Sequence, residues 1–192
     1  MNEHSRQPVP LADSLRSRLR KPLVLLGMMG SGKSHAGAIL SALLDLPHYD
    51  SDKLIEAKEG RTISDIFAET GEAVFRALEH ATIVDLLDRG PCVLSTGGGC
   101  VTVPQTLSAI HDKGISVWLK ADVETLYERL KKSKNRPLLD CEDPKDRLTN
   151  LLAQREGLYA RADITVEKTE GGIDELVAAI LQSLAEYIDD DH

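Results

Sequence analysis

Apolar residues in this chain fall into two alternating patterns. Short apolar runs that end in Gly or a polar residue occur at Leu23 to Leu26, Pro47 to Tyr49, Cys92 to Ser95, Ile115 to Leu119 and Asp163 to Val166. Runs of this kind suit strands buried on both faces of a parallel sheet. Between them apolar residues recur at helical spacing. Lys33 to Leu44 places Ile39, Leu40, Leu43 and Leu44 on one side. Thr62-Ile63-Ser64-Asp65 resembles a capping box and opens a helix through Ala68, and a second helix runs from about Gly71 to Leu87. Val123, Leu126, Tyr127 and Leu130 mark a further helix, Asp143-Pro144 caps and starts the next, and Leu176, Ile180 and Leu184 stripe the last. Strands separated by helices predict an α/β fold, with a five-stranded parallel sheet and helices on both faces.

At 192 residues the chain fits one domain. Residues 1–21 read as a polar leader in which Leu11, Leu15 and Leu19 alternate with Arg16, Arg18, Arg20 and Lys21, a short basic amphipathic helix packed loosely on the domain. Residues 22–185 form the domain proper, with an acceptor-binding insertion at about 50–88 and a polar segment at about 131–142 that reads as a lid. Residues 186–192 read as an acidic, solvated tail. No apolar run approaches the roughly 20 residues of a membrane span, and the start lacks the apolar core of a signal peptide. Three cysteines without CxxC spacing suggest neither a disulfide framework nor a zinc site, so the reducing cytoplasm is expected; a monomer is expected as well. Net charge is −8, which disfavours binding to nucleic acid and requires any anionic substrate to be held by a local group of cations.

The strongest chemical signal is GMMGSGKS at Gly27 to Ser34, directly after the first apolar run. It fills the G-x-x-x-x-G-K-[S/T] pattern of a phosphate-binding P-loop. Gly27, Gly30 and Gly32 allow the tight turn, the amides around Gly30, Ser31 and Gly32 face an anion, and the helix from Lys33 adds its positive dipole end. Lys33 is expected on the β- and γ-phosphates of ATP and Ser34 on Mg²⁺.

Acceptor chemistry must lie beyond the loop. Asp50-Ser51-Asp52 follows the second strand, where ligands sit in open α/β sheets. Asp50 could support Mg²⁺ through water, while Asp52 could bind an acceptor hydroxyl and take its proton; as a pattern, D-x-D is also found in solvated turns. Thr96-Gly97-Gly98-Gly99 exposes backbone amides after the third strand, where three glycines are entropically costly. Arg155 shares a helix stripe with Leu148 and Leu151, so it points inward and needs an anion. Arg76 has Glu72 and Glu79 one turn to either side, and periodicity does not choose between intrahelical pairs and a ligand contact. Arg136, in the lid, could swing onto a transferring phosphoryl group.

Taken in order, GMMGSGKS, D-S-D at Asp50, I-S-D-I-F at Ile63 to Phe67, G-E-A-V-F-R-A-L-E at Gly71 to Glu79, S-T-G-G-G at Ser95 to Gly99, R-P-L-L at Arg136 to Leu139 and Q-R-E-G-L-Y at Gln154 to Tyr159 resemble the shikimate kinase family over about Pro22 to Leu184. The resemblance implies the three-layer P-loop kinase fold and ATP-dependent phosphorylation of the 3-hydroxyl of shikimate, on the route to aromatic amino acids. It implies carboxylate binding by Arg76 and Arg155, hydroxyl binding by Asp52, substrate and γ-phosphate contact by Gly97, Gly98 and Gly99, and a magnesium-side Asp50. It also implies Arg129 against adenine, Arg136 in the lid, and Phe67, Phe75 and Glu79 around the acceptor pocket. The sequence departs from the family pattern at His35, Leu130 and Gly157, where Thr, Thr and Pro are frequent. Kinases of other small molecules, such as gluconate or a nucleoside monophosphate, and a non-catalytic nucleotide-binding module are the alternatives; retention of both Lys33 and Asp52 disfavours the last.

Overall fold

A computed structural model describes residues 8–131, 143–167 and 172–190. Its five strands, β1 (Leu23–Leu26), β2 (His48–Asp50), β3 (Val93–Ser95), β4 (Ile115–Lys120) and β5 (Ile164–Glu167), form one parallel sheet in the order β2-β3-β1-β4-β5. Each expected strand is present, with ends moved by a residue. Alternation within strands divides the core. Leu23 and Leu25 of β1 face a layer with Val117 and Leu119 of β4, whereas Val24 and Leu26 face the opposite layer with Trp118. The first layer is made by α1 (Pro8–Arg18), α2 (Lys33–Leu44) and α8 (Ile173–Asp190). The second is made by α4 (Ile63–Leu87), α5 (Pro104–Lys113), α6 (Val123–Lys131) and α7 (Pro144–Tyr159). No helix among the described residues is long and apolar enough to cross a membrane.

The chain leaves β1 toward the α2 layer and leaves β3 toward the α5 layer, so the loops at the carboxyl ends of these neighbouring strands part and open a crevice. The insertion between β2 and β3 stands beside it. Its long helix begins at a capping box between Thr62 and Asp65 and breaks at Gly71, where φ is 82°, leaving the two pieces the sequence implies. A smaller apolar cluster of Ile55, Ile66 and Phe75 joins that helix to α3 (Ser51–Glu59). Helices α3 and α5 are additions to the sequence reading.

Two expectations need correction. The leader is not loosely placed: Ala12, Leu15 and Leu19 are buried in the α2–α8 layer. Its cations are engaged too, Arg16 with Asp45 beyond α2 and Arg18 with Asp189 at the end of α8, each at 2.5 Å. Nor is the end of the chain a free acidic tail through residue 190. Helix α8 continues to Asp190, with Ile188 packed in the core, because the stripe of Leu176, Ile180 and Leu184 is extended by one more turn.

Candidate active site

The loop between β1 and α2 needs glycine for its backbone: φ is 142° at Gly27, 81° at Gly30 and 99° at Gly32. Lys33 opens α2 and is buried. Its ammonium curls back into the loop, donating to the carbonyls of Gly27 at 2.7 Å and Met28 at 2.9 Å. These contacts hold the cation at the centre of the loop. Ser31 is buried beneath it, and the first turn of α2 is tied to the sheet by Ser95 Oγ, which donates to the Lys33 carbonyl at 3.1 Å. Arg129 of α6 lies over the loop, its Nη1 donating to the Gly30 carbonyl at 2.9 Å. A cavity of about 420 Å³ runs from Arg129 and Gly32 past Lys33 and Ser34 to Asp52 and Gly98.

Asp50 caps α3 by accepting from the Lys53 amide at 3.3 Å, and its other oxygen accepts from Ser34 Oγ at 2.7 Å. A serine hydroxyl and a carboxylate thus meet at the start of α2 beside the loop. Hard oxygen donors of this kind fit Mg²⁺, which takes few protein ligands alongside phosphate oxygens and water.

In the first turn of α3, the Asp52 carboxylate turns inward. Its Oδ1 lies 2.7 Å from the point that a Cβ on Gly97 would occupy, and Glu79 Oε1 of α4 crowds the same point. Both oxygens are buried without a hydrogen-bond partner among the described residues. Burial first, then the Glu79 and Asp50 carboxylates, pushes the Asp52 carboxyl up to about 6 against the opposing pull of Lys33 and Arg76. Burial likewise raises Glu79, opposed mainly by Arg76. The Gly97 amide donates to Ser51 Oγ at 3.2 Å, which anchors the glycine run to the base of α3.

Arg76 makes both intrahelical pairs that its spacing allows. Its Nη1 donates to Glu79 Oε2 at 2.6 Å and its Nη2 to Glu72 Oε1 at 3.1 Å. Structure and ligand contact are not exclusive here, since the same guanidinium packs on the Phe75 and Phe67 rings, 5.2 and 5.9 Å from their centroids. It also abuts Gly99, where a Cβ would overlap Nη2 and Cζ. Arg155 of α7 is partly buried, as its stripe predicts, but its hydrogen-bond partner is a backbone carbonyl rather than a carboxylate: Nη1 donates to Gly98 at 3.3 Å. The three glycines therefore meet three different groups, with Asp52 and Glu79 at Gly97, Arg155 at Gly98 and Arg76 at Gly99.

A P-loop thus faces a small pocket lined by acids and arginines. The family model described as shikimate kinase matches residues 29–185. The chain belongs to the shikimate kinase family. The shikimate kinase of Cereibacter sphaeroides is 42% identical over 169 residues, covering 88% of this chain and 85% of the relative. That of Paramagnetospirillum magneticum is 44% identical over 179 residues, covering 93% and 92%. The solved shikimate kinase of Acinetobacter baumannii in complex with shikimate matches with a TM-score of 0.85 at 37% identity, over 91% of this chain and 97% of that one. Helix α1 lies outside the residues matched by the family model.

In this family member, every expected site residue among the described residues lines or adjoins the P-loop crevice. Arg136 and lid residues 132–142 lie outside the described residues. Two contributors escaped the sequence reading. Ser51 sits inside the D-S-D motif but was overshadowed by its acidic neighbours. Tyr159 ends Q-R-E-G-L-Y, one helical turn beyond Arg155, and it is fully buried with its hydroxyl donating to the Gly98 carbonyl. Four-residue spacing from an inward arginine was the available signal.

Proposed function

We propose the following division of labour for the transfer of the γ-phosphoryl group of ATP to the 3-hydroxyl of shikimate. The observation that carries it is the convergence on the Gly97–Gly99 run, where two buried acid oxygens without donors lie beside two guanidinium groups, at the edge of the P-loop cavity. A small hydroxy acid complements that set: a hydroxyl supplies the missing donor, and a carboxylate supplies the anion for Arg76 and Arg155.

The P-loop amides and Lys33 hold the phosphates, with Lys33 exchanging loop carbonyls for phosphate oxygens. Arg129 flanks the nucleotide side. Ser34 and, through water, Asp50 would hold Mg²⁺, which would supply charge neutralisation at the phosphates. Arg76 and Arg155 fix the acceptor carboxylate, and Asp52 accepts a hydrogen bond from the 3-hydroxyl and aims it at the γ-phosphorus. As the new O–P bond forms and the bond to the β-phosphate oxygen breaks, the hydroxyl proton passes to Asp52, and ADP leaves. Lys33 and Arg136 offset the charge that spreads over the moving group. We also propose that the enzyme works as a monomer in the cytoplasm.

An ADP-release assay with shikimate, gluconate and nucleoside monophosphates tests the acceptor; turnover with gluconate alone would overturn it. In the same assay Asp52→Ala should depress turnover by about a hundredfold or more, the size of a lost acid–base group, with nucleotide affinity little changed. Equal losses in both would refute its acceptor role.

A further inference from the structure

The Gly98 carbonyl receives two donors from α7. One is Arg155 Nη1 at 3.3 Å and the other is the Tyr159 hydroxyl. Tyr159 has no exposed surface, its ring stacks on Trp118 with centroids 5.8 Å apart and planes 16° apart, and its oxygen lies 3.6 Å from Met28 Sδ in the P-loop. Burial pushes its hydroxyl well above the ordinary tyrosine range, so it remains a donor. Gly98 itself nestles against the P-loop, where a Cβ would stand 3.2 Å from the Met29 amide nitrogen and 3.4 Å from the Gly27 carbonyl. One peptide thus touches the nucleotide loop on one side and the acceptor arginine on the other.

Arg155 reaches Gly98 through Nη1 alone, at 3.3 Å, so turning its fork onto a substrate carboxylate draws that nitrogen from the carbonyl. We propose that Tyr159 is a positioning residue: it keeps the Gly98 carbonyl, and with it the glycine run against the P-loop, in place when Arg155 leaves that carbonyl for the acceptor's carboxylate. The inference rests on the reading of Arg155 as a carboxylate ligand. Without Tyr159, acceptor binding would strand a part-buried carbonyl and disturb the phosphate side at the moment of transfer.

Tyr159→Phe removes only the hydroxyl and leaves the ring on Trp118. Since the chain has a single tryptophan, its emission reports whether that stack persists. The variant should bind ADP alone within about twofold of wild type, because Arg155 still holds Gly98, yet bind shikimate about tenfold more weakly and turn over more slowly, as expected for one part-buried acceptor left unpaired. In Arg155→Ala/Tyr159→Phe the carbonyl lacks both donors, and ADP affinity without shikimate should fall by about tenfold, although neither single change lowers it. Wild-type shikimate affinity in Tyr159→Phe, or strictly additive ADP effects in the double variant, would overturn the proposal. Arg155→Lys separates the two layers: an unchanged Michaelis constant for shikimate would remove the carboxylate reading, while the ADP contrast still judges the hold of Tyr159 on Gly98.

Discussion

Asp52 is held in a state that the fold resists, so replacing it with Asn should stabilise the protein while abolishing its turnover. Lifting a carboxyl from 3.8 to about 6 corresponds to about 3 kcal/mol between its protonation states. The sign follows from proton release. Between these values the unfolded chain has already lost the proton that the folded chain keeps, so stability falls as pH rises. The favourable contribution is complete below 3.8 and gone above about 6. Asn has no proton to lose and carries no charge toward Glu79 and Asp50. Its advantage should therefore be small at about pH 4 and reach about 2 to 3 kcal/mol by about pH 8, with some of the gain offset by an amide whose hydrogen bonds are not all met.

Urea denaturation followed by circular dichroism at both pH values measures the gap, provided the slopes of the two proteins agree. A matched Asp50→Asn control separates the inward carboxylate from its neighbour, which caps α3 and accepts from Ser34. Asn caps a helix about as well as Asp, so Asp50→Asn should keep the α3 cap and stay within about 0.5 kcal/mol of wild type. Should Asp52→Asn be no more stable than wild type at the higher pH, or should its advantage be equal at both, the idea of a desolvated carboxylate in this pocket fails.

Three further outcomes follow from the same geometry. If turnover needs the ionised carboxylate, kcat/KM for shikimate should fall on the acid side with an apparent pKa near the value of about 6 held by Asp52, and a flat profile down to about pH 5 would exclude it as proton acceptor. Gly99→Ala places a methyl on the Arg76 guanidinium, so the Michaelis constant for shikimate should rise by about tenfold with that for ATP within about twofold; equal rises would show a general disturbance. Leu15→Ala, in the fully buried stripe of α1, should cost about 2 to 5 kcal/mol in denaturant unfolding and leave both Michaelis constants unchanged, whereas a loss below about 1 kcal/mol would mean that α1 is dispensable.

The sheet was legible because buried parallel strands leave runs that are apolar without alternation, and the P-loop because all its parts are adjacent in the chain. What escaped was hidden by residues with two duties. Asp50 caps α3 and also meets Ser34, so the D-S-D stretch read as chemistry and the helix behind it went unseen. Helix α5 carries Pro104 at its start and Gly114 after its end, yet its buried face is Thr106, Leu107 and Ile110, too short a stripe to register as a period. In α1 the stripe was visible and its partner was not. Local spacing shows that one face is apolar; only the tertiary structure shows α2 and α8 covering it. The same limit applied to Arg155, whose inward direction was readable from spacing while its contact with Gly98 was not.

The Gly97–Gly99 run explains why an acidic protein can handle two anionic substrates. With a net charge of −8 the overall field repels them, so recognition depends on short-range groups in a site where water is scarce and charges interact more strongly than at the surface. Such groups must come from different elements, because one helix face cannot surround a small molecule. Asp52 comes from α3, Glu79 and Arg76 from α4, and Arg155 from α7. They can crowd one strand end only where the strand end has no side chains of its own. A methyl at Gly97 would strike the two acids and one at Gly99 would strike the arginine, so the missing Cβ atoms are what leave room for the pocket these groups line. Because Gly98, between them, also lies against Gly27 and Met29, acceptor and phosphate sides share a single stretch of backbone, and a change that tightens one is felt by the other.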